Sequence, residues 1–387
     1  MNMHTGLDAA VAAICKIATA NADTVDRANA APTETLAALR RESLLSLLVP
    51  TSLGGQGQSI TQLAAACHAL AQACGSSAMI FAMHHIQVAC IVAHGQRSDW
   101  HRTLLRRLCA QQLLLGSVTS EAGTGGNIHA SICAVEPDGA QVRVQKDATT
   151  ISYGAQSDAL LITARRAPDA AASDQVMLVA LHGDYRLERT VAWDALGMRG
   201  TCSDGFRLYL TADREQILPV PFAEIASRTM LPVSHLLWSS VWLGIAADAV
   251  ARARAYLRHQ GRGGSAAPSP SGYRLARATS LLQLMQSRLS LALKDYETTF
   301  ADASCSPPLR LGADMNTLKT SVSELCLEAA QHALMICGIN GYRNGSPFSL
   351  GRHIRDLQSA PIMINNDRIL ESTGSLLLMH KPALGGF

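Results

Sequence analysis

The segment WDALGMRGTCSDGF, residues 193–206, is the most informative part of this chain. Its glycines and aspartates are typical of tight connections between strands, and it runs directly into an apolar, strand-like stretch at residues 206–210. The segment therefore predicts that the middle of the chain is a β-region. The remaining sequence can be assigned outward from it.

The predicted β-region covers residues 113–222, and its connections are rich in Gly, Asp and Pro. The turn residues Pro137, Asp138 and Gly139 predict a hairpin between two short strand-like stretches. Strands are predicted at residues 131–135, 141–145, 159–163, 176–181 and 206–210.

Both flanks of the β-region show helical spacing of apolar residues. Ser59 is predicted to cap a helix that ends near residue 73. Other helices are predicted at residues 36–48, 236–257, 273–300 and 311–337, with loops at 261–272 and 306–308. The sequence thus predicts an α+β multidomain protein, with a helical domain at 1–112, a β-domain at 113–222 and a helical bundle at 223–387.

The composition is that of an ordinary globular protein, with 48% apolar and 16% charged residues and a net charge of +3. So balanced a charge argues against a nucleic-acid partner. The most apolar runs, near residues 79–92 and 236–250, are shorter than the ~18 residues that span a bilayer, so no membrane insertion is expected. Ten cysteines without a CxxC pair predict reduced thiols and a cytoplasmic location.

The segment at 193–206 closely resembles one that acyl-CoA dehydrogenases carry late in their central β-domain. Further segments match the same family in the right order: VTSEAGTGGN at 118–127, TISYG at 150–154, CGINGY at 337–342 and RHIRD at 352–356. The resemblance extends over about residues 50–370. It implies an N-terminal helical domain, a central β-barrel-like domain and a C-terminal four-helix bundle. It also implies a homodimer or homotetramer that binds FAD between subunits.

The resemblance also assigns the flavin contacts, with Ser152 at the N5 edge of the ring. The implied contact residues are Thr119, Ser120, Gly125, Gly126, Ile151 and Ser152, together with Gly338 and Ile339 for the adenosine half of a neighbouring subunit's FAD. Some positions depart from the family. Thr150 stands where the family has a Trp that covers one flavin face, Ile339 replaces a Gly, and the family's Arg-x-x-Phe-Gly motif is missing.

The family reaction needs a carboxylate that removes the proton next to a thioester carbonyl. The family keeps this Glu at one of two positions, which are Ile364 and Ser234 in this chain. Three candidate bases remain. His235 follows the second position and Glu371 lies about two helical turns after the first, and these two rank nearly level. Asp367, three residues past the first position, ranks third.

The leading function is the FAD-dependent α,β-dehydrogenation, or oxidation, of an acyl thioester carried by CoA or an acyl carrier protein. Its electron acceptor is an electron-transfer flavoprotein or oxygen. Two alternatives stay open. One is a flavin-dependent monooxygenase of the same fold, acting on a non-thioester substrate. The other is a non-catalytic partner or scaffold. No metal is expected, because the adjacent His84 and His85 would point about 100° apart on a helix.

Overall fold

The structure is a computed structural model that describes residues 3–261, 270–300 and 309–379. Most of the predicted loop at 261–272 and the predicted break at 306–308 lie outside the described residues. The predicted order of regions is confirmed: two helical regions flank a central region of two β-sheets.

Five helices form the N-terminal region: α1 (Met3–Ala28), α2 (Thr33–Arg41), α3 (Ile60–Ala73), α4 (Gly75–His94) and α5 (Asp99–Gln111). The predicted cap of α3 is confirmed, because Ser59 and Gln62 exchange side-chain-to-backbone hydrogen bonds. The predicted helix at 36–48 was too long. It ends at Arg41 because Ser43 adopts a left-handed backbone (φ 58°), which turns the next residues into the core.

Seven strands follow: β1 (Leu115–Val118), β2 (Glu136–Asp138), β3 (Gln141–Ile151), β4 (Ala159–Arg165), β5 (Gln175–Leu181), β6 (Tyr185–Val191) and β7 (Asp204–Asp213). One sheet has the order β1-β4-β5, with β1 parallel to β4 and β4 antiparallel to β5. The other is antiparallel with the order β2-β3-β7-β6. Alternate side chains of both sheets, such as Val144, Leu208 and Ile162, meet in one apolar core.

The predicted hairpin is present, but its first strand was misplaced. Residues 131–135 form no strand, and Ala134 makes only an isolated bridge to Arg165. β2 pairs with the start of β3 instead. Residues 131–133 are held away from the ladder because Glu121 accepts hydrogen bonds from the backbone N–H groups of Ile132 and Cys133.

The C-terminal region begins with α6 (Phe222–Ile225) and one π-helical turn (Ala226–Met230), which leads straight into α7 (Leu231–Gly261). It continues with α8 (Pro270–Phe300), α9 (Leu309–Cys337), α10 (Ile339–Tyr342), α11 (Gly351–Leu357) and α12 (Asn366–Met379). α7 is central, since it packs on α8 and α9 on one side and on α3 and α4 on the other.

Two helical stretches, α4 and Phe222–Gly261, are long and apolar enough to cross a membrane by length and composition. In each, 83% of the most apolar stretch of 18 residues is buried inside the protein. Both are therefore core helices, whose apolar side chains are covered by the rest of the fold.

The 193–206 segment joins all three regions. The Met198 N–H donates to the buried Asp356 carboxylate over 2.7 Å. The neighbouring Arg355 donates to the Leu196 carbonyl at 3.0 Å and pairs with Asp26 of α1. This clamp fixes the β-domain against both helical regions.

Gly197 is required by this close approach. A Cβ at this position would lie 2.1 Å from the Arg355 carbonyl oxygen and 2.2 Å from its carbon. We expect Gly197→Ala to lower the free energy of unfolding by about 1–3 kcal/mol, because backbone must move to admit one methyl group. Urea unfolding measures the change. Gly374→Ala is the matched control, since nothing lies within 4 Å of a Cβ there and the same methyl should leave stability unchanged or raised. Equal stability of the two variants would contradict the clamp.

Candidate active site

A partly enclosed cavity of about 160 Å³ lies where α4, α7 and the edge of the β-domain meet. The β-domain contributes hydroxyl side chains, among them Thr119, Ser120 and Ser152. α4 contributes Gln87 between apolar neighbours, and α7 contributes Trp238. The side chains that line this cavity in the described part of the chain include no ionisable group other than the Tyr153 phenol, whose pKa burial raises.

Three of the residues predicted to contact a flavin therefore come together. Thr119 and Ser120 follow β1, while Ser152 follows β3, and the two segments lie side by side. The Ser120 hydroxyl joins them, because it donates to the Thr150 carbonyl at 2.6 Å and accepts from the Thr150 N–H at 3.2 Å. Thr150, which replaces the flavin-covering Trp of the family, also lines the cavity.

The glycine-rich loop after Ser120 has left-handed backbone at Gly123, Gly125 and Gly126, with φ of 88°, 59° and 79°. These conformations favour glycine because it has no Cβ. Gly125 and Gly126 are exposed and do not line the cavity. Instead, Arg368 of α12 donates to the Gly125 carbonyl at 2.6 Å, so the C-terminal helix holds the loop in place.

A buried ion pair supports the base of the same loop. Glu121 lies 3.5 Å from the Lys146 ammonium, and both side chains are almost fully buried. Burial alone would raise the pKa of Glu121, but Lys146 and three hydrogen-bond donors, Ser131, Cys133 and Ile132, outweigh it and lower the pKa. Glu121 is thus a charged structural anchor rather than a proton acceptor for the cavity.

Ser152 lies at the end of a chain of hydroxyls. Its Oγ is 2.8 Å from the Ser203 Oγ, which is 2.8 Å from the Thr201 Oγ1. Thr201 in turn donates to the Met198 carbonyl over 2.8 Å. The backbone that positions these groups is strained, because Tyr153, next to Ser152, is left-handed (φ 43°).

Both positions where the family keeps its catalytic carboxylate line this cavity. They are Ser234, on the first turn of α7, and Ile364, just before α12. Ile364 has a left-handed backbone (φ 54°), and its carbonyl accepts a 2.6 Å hydrogen bond from the buried Lys319. Neither side chain can remove a proton. The described residues that line the cavity therefore include no carboxylate at either position that the resemblance assigns to the base.

His235 is not among the residues that line the cavity. Its ring is fully buried and hydrogen-bonds the Asn316 side chain on α9. Burial, and then the nearby Lys319 charge, lowers its pKa to about 3. Asp367 and Glu371 are exposed on α12 and do not line the cavity either. The assignment of a base among these three stays a prediction.

The remaining predicted contacts are also outside the cavity lining. The Ile151 side chain is buried in the β-domain core. Gly338 and Ile339 are exposed at the end of α9, where the resemblance implies a contact with a neighbouring subunit's cofactor. Nothing in a single chain tests that contact, so it stays a prediction.

Two polar residues of the cavity were not predicted from the sequence. Gln87 is 3% exposed, and its side-chain oxygen has no hydrogen-bond partner. The indole N–H of Trp238 is likewise buried and unpartnered. Buried polar atoms are normally paired, so these two are available to a bound molecule. Trp238 could have been found from the sequence, because it lies one helical turn after Ser234.

The two adjacent histidines of α4 serve the fold. The His84 Nε2 lies 2.8 Å from the Leu45 carbonyl, and the His85 Nε2 lies 2.9 Å from that of Leu44. Among the residues that the structure describes, no group of His, Cys, Asp or Glu could hold a metal ion.

The chain is also similar in sequence and in structure to known proteins. Residues 4–112 match the acyl-CoA dehydrogenase N-terminal domain, and residues 236–365 match the acyl-CoA dehydrogenase C-terminal domain. In sequence, the chain is similar to dibenzothiophene monooxygenase of Mycolicibacterium goodii, with 30% identity over 250 residues, 61% of this chain and 59% of that one. It is also similar to the probable FMNH2-dependent monooxygenase SfnC of Pseudomonas putida, with 24% identity over 229 residues, 58% of this chain and 55% of that one.

The chain thus spans about three-fifths of the length of these relatives. In structure it resembles FMN-bound TdsC from Paenibacillus sp. A11-2, a dibenzothiophene monooxygenase also solved with FMN and indole. The TM-score is 0.85 at 20% identity, and the match covers 98% of each chain. The matches to both terminal domains, the shared fold and the family segments in order lead to one conclusion: this chain belongs to the acyl-CoA dehydrogenase family, as a divergent member.

Proposed function

We propose that this protein is a flavin-dependent monooxygenase that uses reduced flavin and oxygen on an uncharged, non-thioester substrate. The observation that carries the proposal is the pair Ser234 and Ile364. Both family positions for the catalytic carboxylate line the cavity, and neither holds a carboxylate. Of the two functions that the sequence left open for an enzyme, the monooxygenase is the one that needs no base at these positions.

The three candidate bases give the dehydrogenase little support. A general base must come within hydrogen-bond reach of the proton it removes, directly or through one water. His235 faces Asn316 of α9, while Asp367 and Glu371 are exposed on α12. The similarity to monooxygenases in sequence points the same way.

The cavity residues fit a flavin ring. Thr119 and Ser152 offer hydroxyls from two adjacent segments, and Ser120 fixes the distance between those segments. When bound, reduced flavin supplies two electrons to dioxygen, so that one oxygen atom enters the substrate and the other leaves as water. Thr150, smaller than the family's Trp, leaves space for oxygen beside the ring.

We propose FMN rather than FAD as the cofactor. Ile339 replaces a Gly at the position assigned to the FAD adenosine, and the Arg-x-x-Phe-Gly motif is missing. Relatives named for FMN and FMNH2 support this choice. FAD, the cofactor expected from the family, is the alternative that binding measurements test.

The substrate end of the cavity is uncharged and partly polar. The Gln87 oxygen can accept a hydrogen bond and the Trp238 N–H can donate one. The apolar side chains of Met83, Ile86 and Leu231 surround them. A neutral, mainly apolar ring compound fits this lining.

We also propose a cytoplasmic dimer or tetramer. Large apolar side chains are exposed on the outer helices of the bundle, including Leu284 and Leu291 on α8 and Met335 on α9. Covering them in a second copy would be favourable at about 25 cal/mol for each Å² of apolar surface removed from water.

The decisive experiment compares two reactions of the same purified protein. With reduced FMN and ¹⁸O₂, we expect one labelled oxygen atom to enter an aromatic heterocycle such as indole or dibenzothiophene, as measured by mass spectrometry. With FAD or FMN bound under anaerobic conditions, we expect a panel of acyl-CoA thioesters to leave the flavin absorbance unchanged.

The variants His235→Ala and Glu371→Gln serve as controls. Both should keep the monooxygenase activity, because neither residue lines the cavity. Anaerobic bleaching by an acyl-CoA that disappears in one of these variants would overturn the proposal and restore the dehydrogenase. Failure to bind either flavin would support the non-catalytic alternative instead.

A further inference from the structure

The direction of the hydrogen bonds in the hydroxyl chain that ends at Ser152 can be deduced from the group at its other end. The chain starts at the Met198 carbonyl oxygen, which can only accept hydrogen bonds. Thr201 Oγ1 donates to it over 2.8 Å, beside the N–H of Thr201 at 3.0 Å and the indole N–H of Trp193 at 3.2 Å. The single hydroxyl hydrogen of Thr201 is therefore engaged with this carbonyl. The Thr201 hydroxyl can then only accept from its other neighbour.

That neighbour is Ser203, whose Oγ lies 2.8 Å from Thr201 Oγ1. Ser203 must therefore donate its own single hydrogen to Thr201. The same step repeats once more: Ser152 Oγ lies 2.8 Å from Ser203 Oγ, so Ser152 donates to Ser203. Thr201 and Ser203 are 3% and 7% exposed, so competition from bulk water is small.

The last oxygen of the chain, Ser152 Oγ, then faces the cavity with lone pairs alone. Its hydrogen is engaged with Ser203, so it can accept a hydrogen bond from a ligand but cannot give one. Chains of hydroxyls polarise one another in a low-dielectric interior, which strengthens this directional preference.

The two redox states of a flavin differ at the atom that the family resemblance assigns to Ser152. The N5 atom of an oxidised flavin carries no hydrogen and accepts hydrogen bonds. The N5 atom of a reduced flavin carries a hydrogen and donates it. We propose that the Thr201–Ser203 relay makes Ser152 an acceptor and thereby selects reduced flavin over oxidised flavin in this site.

Thr201 and Ser203 are positioning residues in this proposal, since they act through Ser152. The inference rests on the proposed function, because it requires that a flavin occupies the cavity. In this proposal the hydroxyls of Thr201, Ser203 and Ser152 together determine which redox state of the flavin binds more tightly. It also explains how oxidised flavin would be released after each turnover.

The test measures binding in both redox states. Anaerobic ultrafiltration gives the Kd of photoreduced FMN, and fluorescence quenching gives the Kd of oxidised FMN. We expect the wild-type protein to bind reduced FMN at least about tenfold more tightly, the order of one unmade hydrogen bond. In Ser203→Ala the Ser152 hydrogen is free to point at N5, so the preference should fall about tenfold. This change equals a lowering of the bound flavin's midpoint potential by about 30 mV.

Two variants of Thr201 make the experiment specific. Thr201→Val removes the first hydroxyl and should also reduce the preference, although Thr201 does not line the cavity. Thr201→Ser keeps the hydroxyl and should keep the preference. Damage to the local fold would weaken the binding of both redox states equally and leave the ratio of their Kd values unchanged.

The failures of the two proposals are distinguishable. A wild-type protein that binds neither form of FMN or FAD contradicts the proposed function. A protein that binds flavin and oxygenates a substrate, but has equal Kd values for both redox states, contradicts the relay. A preference that survives in both Ser203→Ala and Thr201→Val contradicts it equally.

Discussion

Lys146→Met is expected to lower the free energy of unfolding by about 3–5 kcal/mol, the usual cost of removing one partner of a buried ion pair. Lys146 lies on β3 with 1% of its surface exposed and donates to the Thr163 carbonyl at 2.7 Å. Without it, the Glu121 carboxylate stays buried with no opposite charge. The loss is measured by urea unfolding at pH 7.

A double variant separates the effect of the unpaired buried charge from the effect of the changed packing. Glu121→Gln combined with Lys146→Met leaves no buried charge. The single amide oxygen can still accept from the Cys133 N–H, while the Ile132 N–H, which bonds the other carboxylate oxygen, loses its acceptor. We expect the double variant to be more stable than Lys146→Met alone. If both are equally destabilised, the ion pair is not the cause. Because Glu121 anchors the loop after β1, the single variant should also weaken flavin binding.

The second large effect is on acid stability. His84 must be neutral in the folded state, because its Nδ1 accepts from the Leu115 N–H at 3.0 Å while its Nε2 donates to the Leu45 carbonyl. Burial lowers its pKa to about 4, and burial with the Lys319 charge lowers that of His235 to about 3. The unfolded chain takes up these protons near pH 6.5, the ordinary value.

Whether stability rises or falls with pH depends on which state, folded or unfolded, binds more protons. Between about pH 6.5 and 4 the unfolded state is protonated at both histidines and the folded state is not, so stability falls as the pH falls. Each group contributes about 1.4 kcal/mol per pH unit, so these two alone give about 3 kcal/mol per unit. Burial also lowers the pKa of His85, His101 and His353, and these groups add to the slope in the same direction. Urea midpoints measured from pH 7.5 to 4.5 test this slope.

The slope can be assigned to a residue by substitution. His235→Asn should reduce the slope by about 1.4 kcal/mol per pH unit, because the unfolded chain then takes up one proton fewer. His129→Gln, at an exposed histidine, should leave the slope unchanged. A slope that is the same in wild type and His235→Asn would contradict a buried neutral imidazole.

The sequence predicted those parts of the protein that depend on local chemistry. The turn residues at 137–139 predicted the hairpin, and Ser59 predicted the start of α3. The family segments predicted that Thr119 and Ser152 meet, although they follow different strands. Such segments have the same geometry throughout the family. Their spacing along the chain is therefore sufficient to predict that these residues meet.

The parts that could not be predicted depend on long-range packing. Gln87 and Trp238 lie on apolar helices, and the sequence does not reveal that their polar atoms face a cavity. The strand β6 was missed because most of its side chains are exposed, so it lacks an apolar pattern. The role of Ser203 appears only when its distance to Ser152 is known.

The clamp between the β-domain and α11 also bears on how the chain is made. Met198 and Asp356 are 158 positions apart, and Asp26 and Arg355 are 329 apart. At about 5–20 residues per second, a ribosome needs roughly 10 to 30 s after Met198 to reach Asp356. During that time the β-domain backbone around Gly197 lacks its partner on α11, although the neighbouring Arg199 and Gly200 can already contact α1 and α4. Biosynthesis therefore completes this interface late, and a nascent chain that stops before residue 356 would present an open face to chaperones or to other unfinished chains.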